Sequence, residues 1–160
     1  MKKTLKVALY ILLALVLIVL AYVIYVFAAY YRVEDMQKLG VAHCDAASAA
    51  PMEGAPQTGV TYRVSSANVG FGAYSADYSF FMDGGEESRA RDPQAVEGNG
   101  QGVLETVREV SPDFLFMQEV DVDATRSWHI DEVELLTGKL ADYNRIFAQN
   151  YDSPYLFWPL

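Results

Sequence analysis

Two polar residues in this chain stand where an apolar strand would deliver them to the rim of a sheet. Glu119 follows Phe114-Leu115-Phe116-Met117-Gln118, and Asn68 sits near the end of the alternating run from Val60 to Val69. A side chain at the carboxyl end of a strand in an α/β sheet lies on the edge where ligands bind. A single carboxylate there suits Mg2+, which commonly takes one or two carboxylates and leaves the rest to water and phosphate oxygens. A neutral amide beside it can bond a phosphate oxygen or orient a metal-bound water. Taken alone, Glu119 reads as a solvated strand end and Asn68 as a turn residue. Asp121 and Asp123 add negative charge nearby as loop residues.

The elements that must position these groups are readable from pattern. Val60 to Val69 alternates with period two and is expected to be a first strand, ended by Gly70 and Gly72. Ala73 to Arg91 is a long loop carrying Tyr74, Tyr78, Phe80 and Phe81; its aromatics suit a binding loop and a cover over the sheet edge equally. Asp92-Pro93 starts a helix, with Asp as N-cap and Pro in the first turn. Val103, Leu104, Val107 and Val110 give that helix its apolar stripe, Gly98, Gly100 and Gly102 weaken it, and Ser111-Pro112 stops it. Phe114 to Met117 reads as a buried second strand. Asp131 to Ala141 reads as a second amphipathic helix with Val133, Leu136 and Leu140 inward, and Arg145 to Ala148 as a third strand. A short helix is also expected around Val33 to Leu39. Strand, helix, strand, helix, strand is an α/β order.

The segments Ser66-Ala67-Asn68-Val69-Gly70-Phe71-Gly72 and Pro112-Asp113-Phe114-Leu115-Phe116-Met117-Gln118-Glu119-Val120-Asp121, separated by a helix, resemble the first two motifs of the endonuclease/exonuclease/phosphatase superfamily. These are metal-dependent phosphoesterases related to the DNase I fold. Asn68 to Phe81 together with Arg126-Ser127-Trp128-His129 is similar to a bacterial, membrane-associated branch. The resemblance implies that residues 60–160 form the N-terminal half of a DNase I-like four-layered α/β sandwich. It implies that Glu119 binds Mg2+ or another divalent cation, that Asn68 contacts the phosphate or its water, and that Gln118 supports Glu119. The family's later motifs, an Asp-x-Asn pair and an Asp-His pair whose His is the catalytic base, are read as missing. His43 precedes the domain, and His129 follows directly on the second motif, where a core or surface role is expected. The implied protein is a membrane-anchored Mg2+-dependent hydrolase of phosphodiesters or phosphomonoesters, cut short and inactive as it stands. The rival reading is a noncatalytic membrane-tethered binding or scaffold module that retains the half-fold.

Bulk properties bound the partners. The net charge is −9, and Lys2, Lys3 and Lys6 all precede the apolar run, so the remainder is more acidic still. That disfavours a nonspecific nucleic-acid binder tracking phosphates on a basic surface. Cys44 is the sole cysteine, which excludes an intrachain disulfide and a cysteine metal cluster.

Val7 to Tyr31 contains no charged residue. Its length of about 25 residues suffices to cross a hydrocarbon core. It exceeds the apolar core of a signal peptide, and the small-residue stretch Ala46-Ala47-Ser48-Ala49-Ala50 lies well beyond it. The expected organisation is a basic segment over 1–6, an uncleaved signal anchor over 7–31, a Pro- and Gly-interrupted linker over 32–59, and the partial domain from 60. The lysines place the N-terminus in the cytoplasm and the domain outside it. Protease added from outside intact spheroplasts should therefore digest the chain after Tyr31 and leave the anchor. A mature chain beginning between Tyr31 and Pro51 would instead reveal a cleaved leader.

Overall fold

The computed structural model describes residues 3–43 and 55–154. The expectations for Cys44, for Ala46 to Ala50, for the rest of the linker over 44–54, and for the partial domain beyond residue 154 fall outside those residues. The chain divides into two compact units, one of Met1–Gly40 with Phe147–Leu160 and one of Val41–Ile146.

In the first unit, α1 spans Lys3–Ala29 with no buried side chain. It is long and apolar enough to cross a membrane. Its 27 residues give a rod of about 40 Å. The Tyr31 N–H donates to the Asp152 carbonyl at 3.0 Å, and the Tyr30 and Tyr151 rings lie 6.1 Å apart. The helix expected over Val33 to Leu39 does not form. Met36 instead takes a left-handed φ of 59° in a turn. A seven-residue segment whose Met36 and Leu39 stay exposed buries too little to offset the unfavourable first turn of a helix.

The second unit mixes helix and strand. β1 (Val64–Asn68) and β2 (Phe114–Gln118) form a two-stranded parallel sheet with Val64 opposite Phe114 and Asn68 opposite Gln118. Parallel pairing requires a crossover, and α2 (Pro93–Val110) lies within it. The Asp92 side chain accepts from the Ala95 N–H at 2.7 Å, with Pro93 in the first turn, as the Asp-Pro signal predicts. Ser111, at φ 47°, caps the other end. Gly100 is more than a weak helical residue. A Cβ there would lie 2.9 Å from Leu135 Cδ2, so the glycine lets α3 (Glu132–Thr137) approach α2 closely.

Leu104 and Val107 of α2, Leu136 of α3 and Leu140 form one core cluster, with Leu115 and Met117 of β2 packed on it. Phe71, Ala73, Ala90 and Val96 form a second cluster, joined by Tyr78 and Phe80. The loop aromatics Tyr78 and Phe80 therefore pack around Phe71. Tyr74, with its ring 5.7 Å from that of Phe71, remains half exposed.

Several expectations need correction. β1 begins at Val64 and not Val60. β2 is half-buried: Leu115 and Met117 face the helices, while Phe116 on the opposite face is 56% exposed and Val64 60% exposed. The helices cover one sheet face only. Residues 145–148 form no third strand; Arg145 makes only an isolated antiparallel bridge to Ala42. α3 ends at Thr137, short of the expected Ala141; beyond it the Lys139 and Leu140 N–H groups reach back only three residues, to the Leu136 and Thr137 carbonyls, in tighter turns.

Between β1 and the aromatic cluster, Gly70, Phe71 and Gly72 all have positive φ, at 55°, 45° and 64°. Left-handed geometry penalises an ordinary residue by about 1–2 kcal/mol, so glycine on either side limits the strain to Phe71. Phe71 is 1% exposed, and its burial offsets that penalty. At Gly72 an added Cβ would lie 2.7 Å from Val96 Cγ1 and 2.8 Å from Glu132 Oε1. Gly72→Ala is therefore expected to destabilise this unit by roughly 2–4 kcal/mol. Denaturant titration of the micelle-bound chain, followed by circular dichroism, should show the loss. Gly98→Ala, in open space, should show none.

Candidate functional site

Because the strands are parallel, their carboxyl ends share an edge. That edge carries Asn68 as the last residue of β1 and Glu119 as the first residue after β2. Asn68 Nδ2 donates to Glu119 Oε1 at 2.8 Å. Asn68 Oδ1 accepts from the Gly70 N–H at 2.9 Å, which orients the amide. Both residues are exposed. The two expected site residues thus meet directly. No metal-and-water shell separates them, since the amide itself occupies one carboxylate oxygen.

Gln118 does not reach Glu119 with its side chain. Its Nε2 donates to Ser66 Oγ at 3.2 Å across the open sheet face. Its part in the site is through the main chain, where its carbonyl accepts from the Val69 N–H at 2.9 Å.

Three charged groups complete the arrangement: Asp121, expected from the sequence only as nearby negative charge, and Arg126 and Glu132, to which sequence patterning assigns no role. Arg126, at the centre of the 3-10 turn Thr125–Ser127, grips Asp121 with both edges: Nε to Oδ2 at 2.9 Å and Nη2 to Oδ1 at 2.8 Å. Its Nη1 contacts Glu119 Oε2 at 3.2 Å, and its guanidinium lies 4.3 Å from the centre of the Phe71 ring. Burial pulls the Arg126 pKa down, but the hydrogen bonds and charge of Asp121 and the charge of Glu119 outweigh it and the net shift is upward.

Glu132, 2% exposed, opens α3. Its Oε2 accepts from the Asp121 N–H at 2.9 Å, while its own N–H donates to the Asp121 carbonyl at 2.9 Å. Burial first, then the charge of Asp121, push its pKa up to about 7 against the lowering effects of the Asp121 N–H and Arg126. The signal available in sequence was an acid next to the Asp131 N-cap. An inward-facing carboxylate at that position departs from the apolar stripe and is invisible to it.

His129 Nδ1 lies 2.5 Å from Asp123 Oδ1, and both side chains are well exposed. It pairs on the surface, in keeping with the expected surface or core role. The Asp-x-Asn expectation needs correction, because Asp142-Tyr143-Asn144 spells that pattern. Tyr143 Oη donates to the Pro112 carbonyl at 2.6 Å, ahead of the amino end of β2. Tyr143 therefore reaches the amino end of β2, the opposite end of the strand from Glu119.

As a cation site the arrangement supplies one hard oxygen donor group of the type Mg2+ takes, the Glu119 carboxylate; Asn68 turns its Nδ2 toward that carboxylate and its Oδ1 toward the Gly70 N–H. Among the described residues no three or more His, Cys, Asp or Glu side chains converge as a metal-binding group. With one carboxylate at this edge, a Mg2+ there would have to draw the rest of its shell from water and a phosphate. Comparison with known proteins gives no match: no family model, no curated protein and no solved structure is detectably similar to the chain.

The buried Glu132 makes stability pH-dependent. Its folded pKa lies above the ordinary carboxylate value, so the folded state holds a proton that the unfolded state releases from about pH 4.5 upward. Stability from this group is full below that range and is lost as pH rises to about 7, by at most about 3 kcal/mol. Glu132→Gln should remove this slope and stabilise the chain at pH 8, as measured by thermal melts between pH 4.5 and 8.

Proposed function

We propose that this chain carries the carboxylate and amide arm of a membrane-anchored, Mg2+-dependent phosphoesterase of the endonuclease/exonuclease/phosphatase superfamily. The observation that carries the reading is the meeting of Asn68 and Glu119 on the exposed carboxyl edge of adjacent parallel strands. In this reading the two-stranded sheet and its helical cover are part of a DNase I-like sandwich, and α1 tethers it with the domain outside the cytoplasm. Glu119 would hold the cation, which when bound supplies Lewis-acid polarisation of a phosphoryl oxygen. The Asn68 amide, fixed by the Gly70 N–H, is set to donate to a phosphate oxygen. Gln118 keeps the strand end in register through its carbonyl. The substrate is a phosphodiester or phosphomonoester.

One observation favours the rival, a noncatalytic tethered module. Both Glu119 oxygens already have partners, Asn68 and Arg126. The two readings differ in whether metal and phosphate bind together. Mn2+ can be titrated into the full chain in detergent micelles and followed by electron paramagnetic resonance, with and without p-nitrophenyl phosphate. The phosphoesterase reading expects weak Mn2+ binding that the ester tightens by about tenfold, with both lost in Glu119→Gln. A scaffold expects no coupling between them. Hydrolysis by this chain should stay at background, since no histidine stands at the site and a general base contributes about 10²–10⁴-fold.

A further inference from the structure

Arg126 makes two unequal ion pairs. The pair with Asp121 is a planar fork with contacts of 2.9 and 2.8 Å, the geometry in which guanidinium and carboxylate match best. The pair with Glu119 is a single contact at 3.2 Å. Solvent widens the difference: the Asp121 side chain is 11% exposed and that of Glu119 37%. Water screens the second pair far more than the first. The guanidinium is also held over the Phe71 ring at 4.3 Å, and the Arg126 carbonyl accepts from the Ala90 N–H at 2.8 Å. A well-anchored cation therefore extends one weakly engaged arm onto the carboxylate assigned to the metal.

We propose that Arg126 is the resident counter-ion of Glu119 and guards the metal position, so that a divalent cation binds only by displacing Arg126 Nη1 from Glu119 Oε2. Asp121 retains the guanidinium when that contact yields. Arg126 is thus a positioning residue: without metal it holds Glu119 at the sheet edge, and it sets how much cation is needed to load the site. The inference rests on Glu119 being the metal ligand. It adds that the site is weak because a built-in charge competes for it.

The sign of the effect separates this role from a structural one. Mn2+ titration of the full chain in detergent micelles should show Arg126→Ala binding about tenfold tighter than wild type, since a like charge a few ångströms from the cation is gone. Freed Asp121 could also attract the ion. Arg126→Ala combined with Asp121→Asn removes one charge of each sign, and it should still bind more tightly than wild type. Asp121→Asn alone, which leaves the guanidinium to Glu119, should bind more weakly. Arg126→Lys, which keeps the charge, should not reproduce the gain.

Should Arg126→Ala lose its native circular dichroism spectrum, Arg126→Gln keeps most of the stem over Phe71 and carries the same expectation. Mn2+ binding by the folded Ala or Gln variant that is equal to or weaker than wild type would overturn the guard role, with Glu119 still a ligand. Wild-type binding that Glu119→Gln leaves unchanged, or no wild-type binding at all, would remove the metal assignment and this inference with it.

Discussion

The carbonyls of Gln118, Glu119 and Asp121 accept hydrogen bonds from the N–H groups of Val69, Phe71 and Glu132, each at 2.9 Å. This short ladder decides how β2 leaves the sheet, and the polar edge depends on it. The bonds from Val69 and Phe71 carry the parallel pairing past the last strand residues and into the left-handed turn. The bond from Glu132 hands the chain to α3. Glu119 itself takes a φ of 56°, which an ordinary residue adopts at a penalty of about 1–2 kcal/mol. The bond from Phe71 and the side-chain contact with Asn68 hold it there. A strained backbone at a polar edge is common at functional positions, and here the strained residue is the candidate ligand.

Charge is arranged in depth around this exit. Glu132 is buried, Asp121 is nearly so, and Glu119 is open to solvent. Arg126 bridges the last two. A raised pKa on Glu132 follows from this order, because the innermost carboxylate is furthest from water and close to the charge of Asp121. Protonated, Glu132 still accepts from the Asp121 N–H and adds no repulsion. The outermost carboxylate is left as the one that an ion from solution can reach.

The sequence made the strand ends legible because period-two patterning and the following glycines bound a strand well. Asn68 was found for that reason, and Glu119 because it closely follows the apolar run Phe114 to Met117. The N-cap at Asp92 was legible because Asp-Pro has a local mechanism. Arg126 and Glu132 were not, since pairing across loops leaves no period in the chain. The length of β1 was overestimated because Val60 and Tyr62 continue the alternation while only residues from Val64 onward have a partner strand. Arg145 to Ala148 has strand-like composition, yet composition cannot supply a neighbour with free hydrogen-bonding groups in register. Gly100 looked like a weakness in α2, and only the structure shows that a side chain there would press on Leu135.

The position of the core decides what can hold the site steady. Leu115 and Met117 are anchored on the α2–α3 cluster, while Phe116 and Val64 face outward with Ser66 and Gln118. A two-stranded sheet is marginal by its own pairing, so the helices on one face supply most of its support. α2 is tied to the left-handed turn, since Asn99 Nδ2 donates to the Gly72 carbonyl at 2.8 Å and Val96 packs with Phe71. α3 is tied to the exit of β2 through the reciprocal bonds of Glu132 and Asp121. Each candidate residue therefore stands on a strand end braced by a different helix, Asn68 through α2 and Glu119 through α3. Those helices meet beside Gly100 and Leu135, so the two braces are packed against one another on the covered face of the sheet.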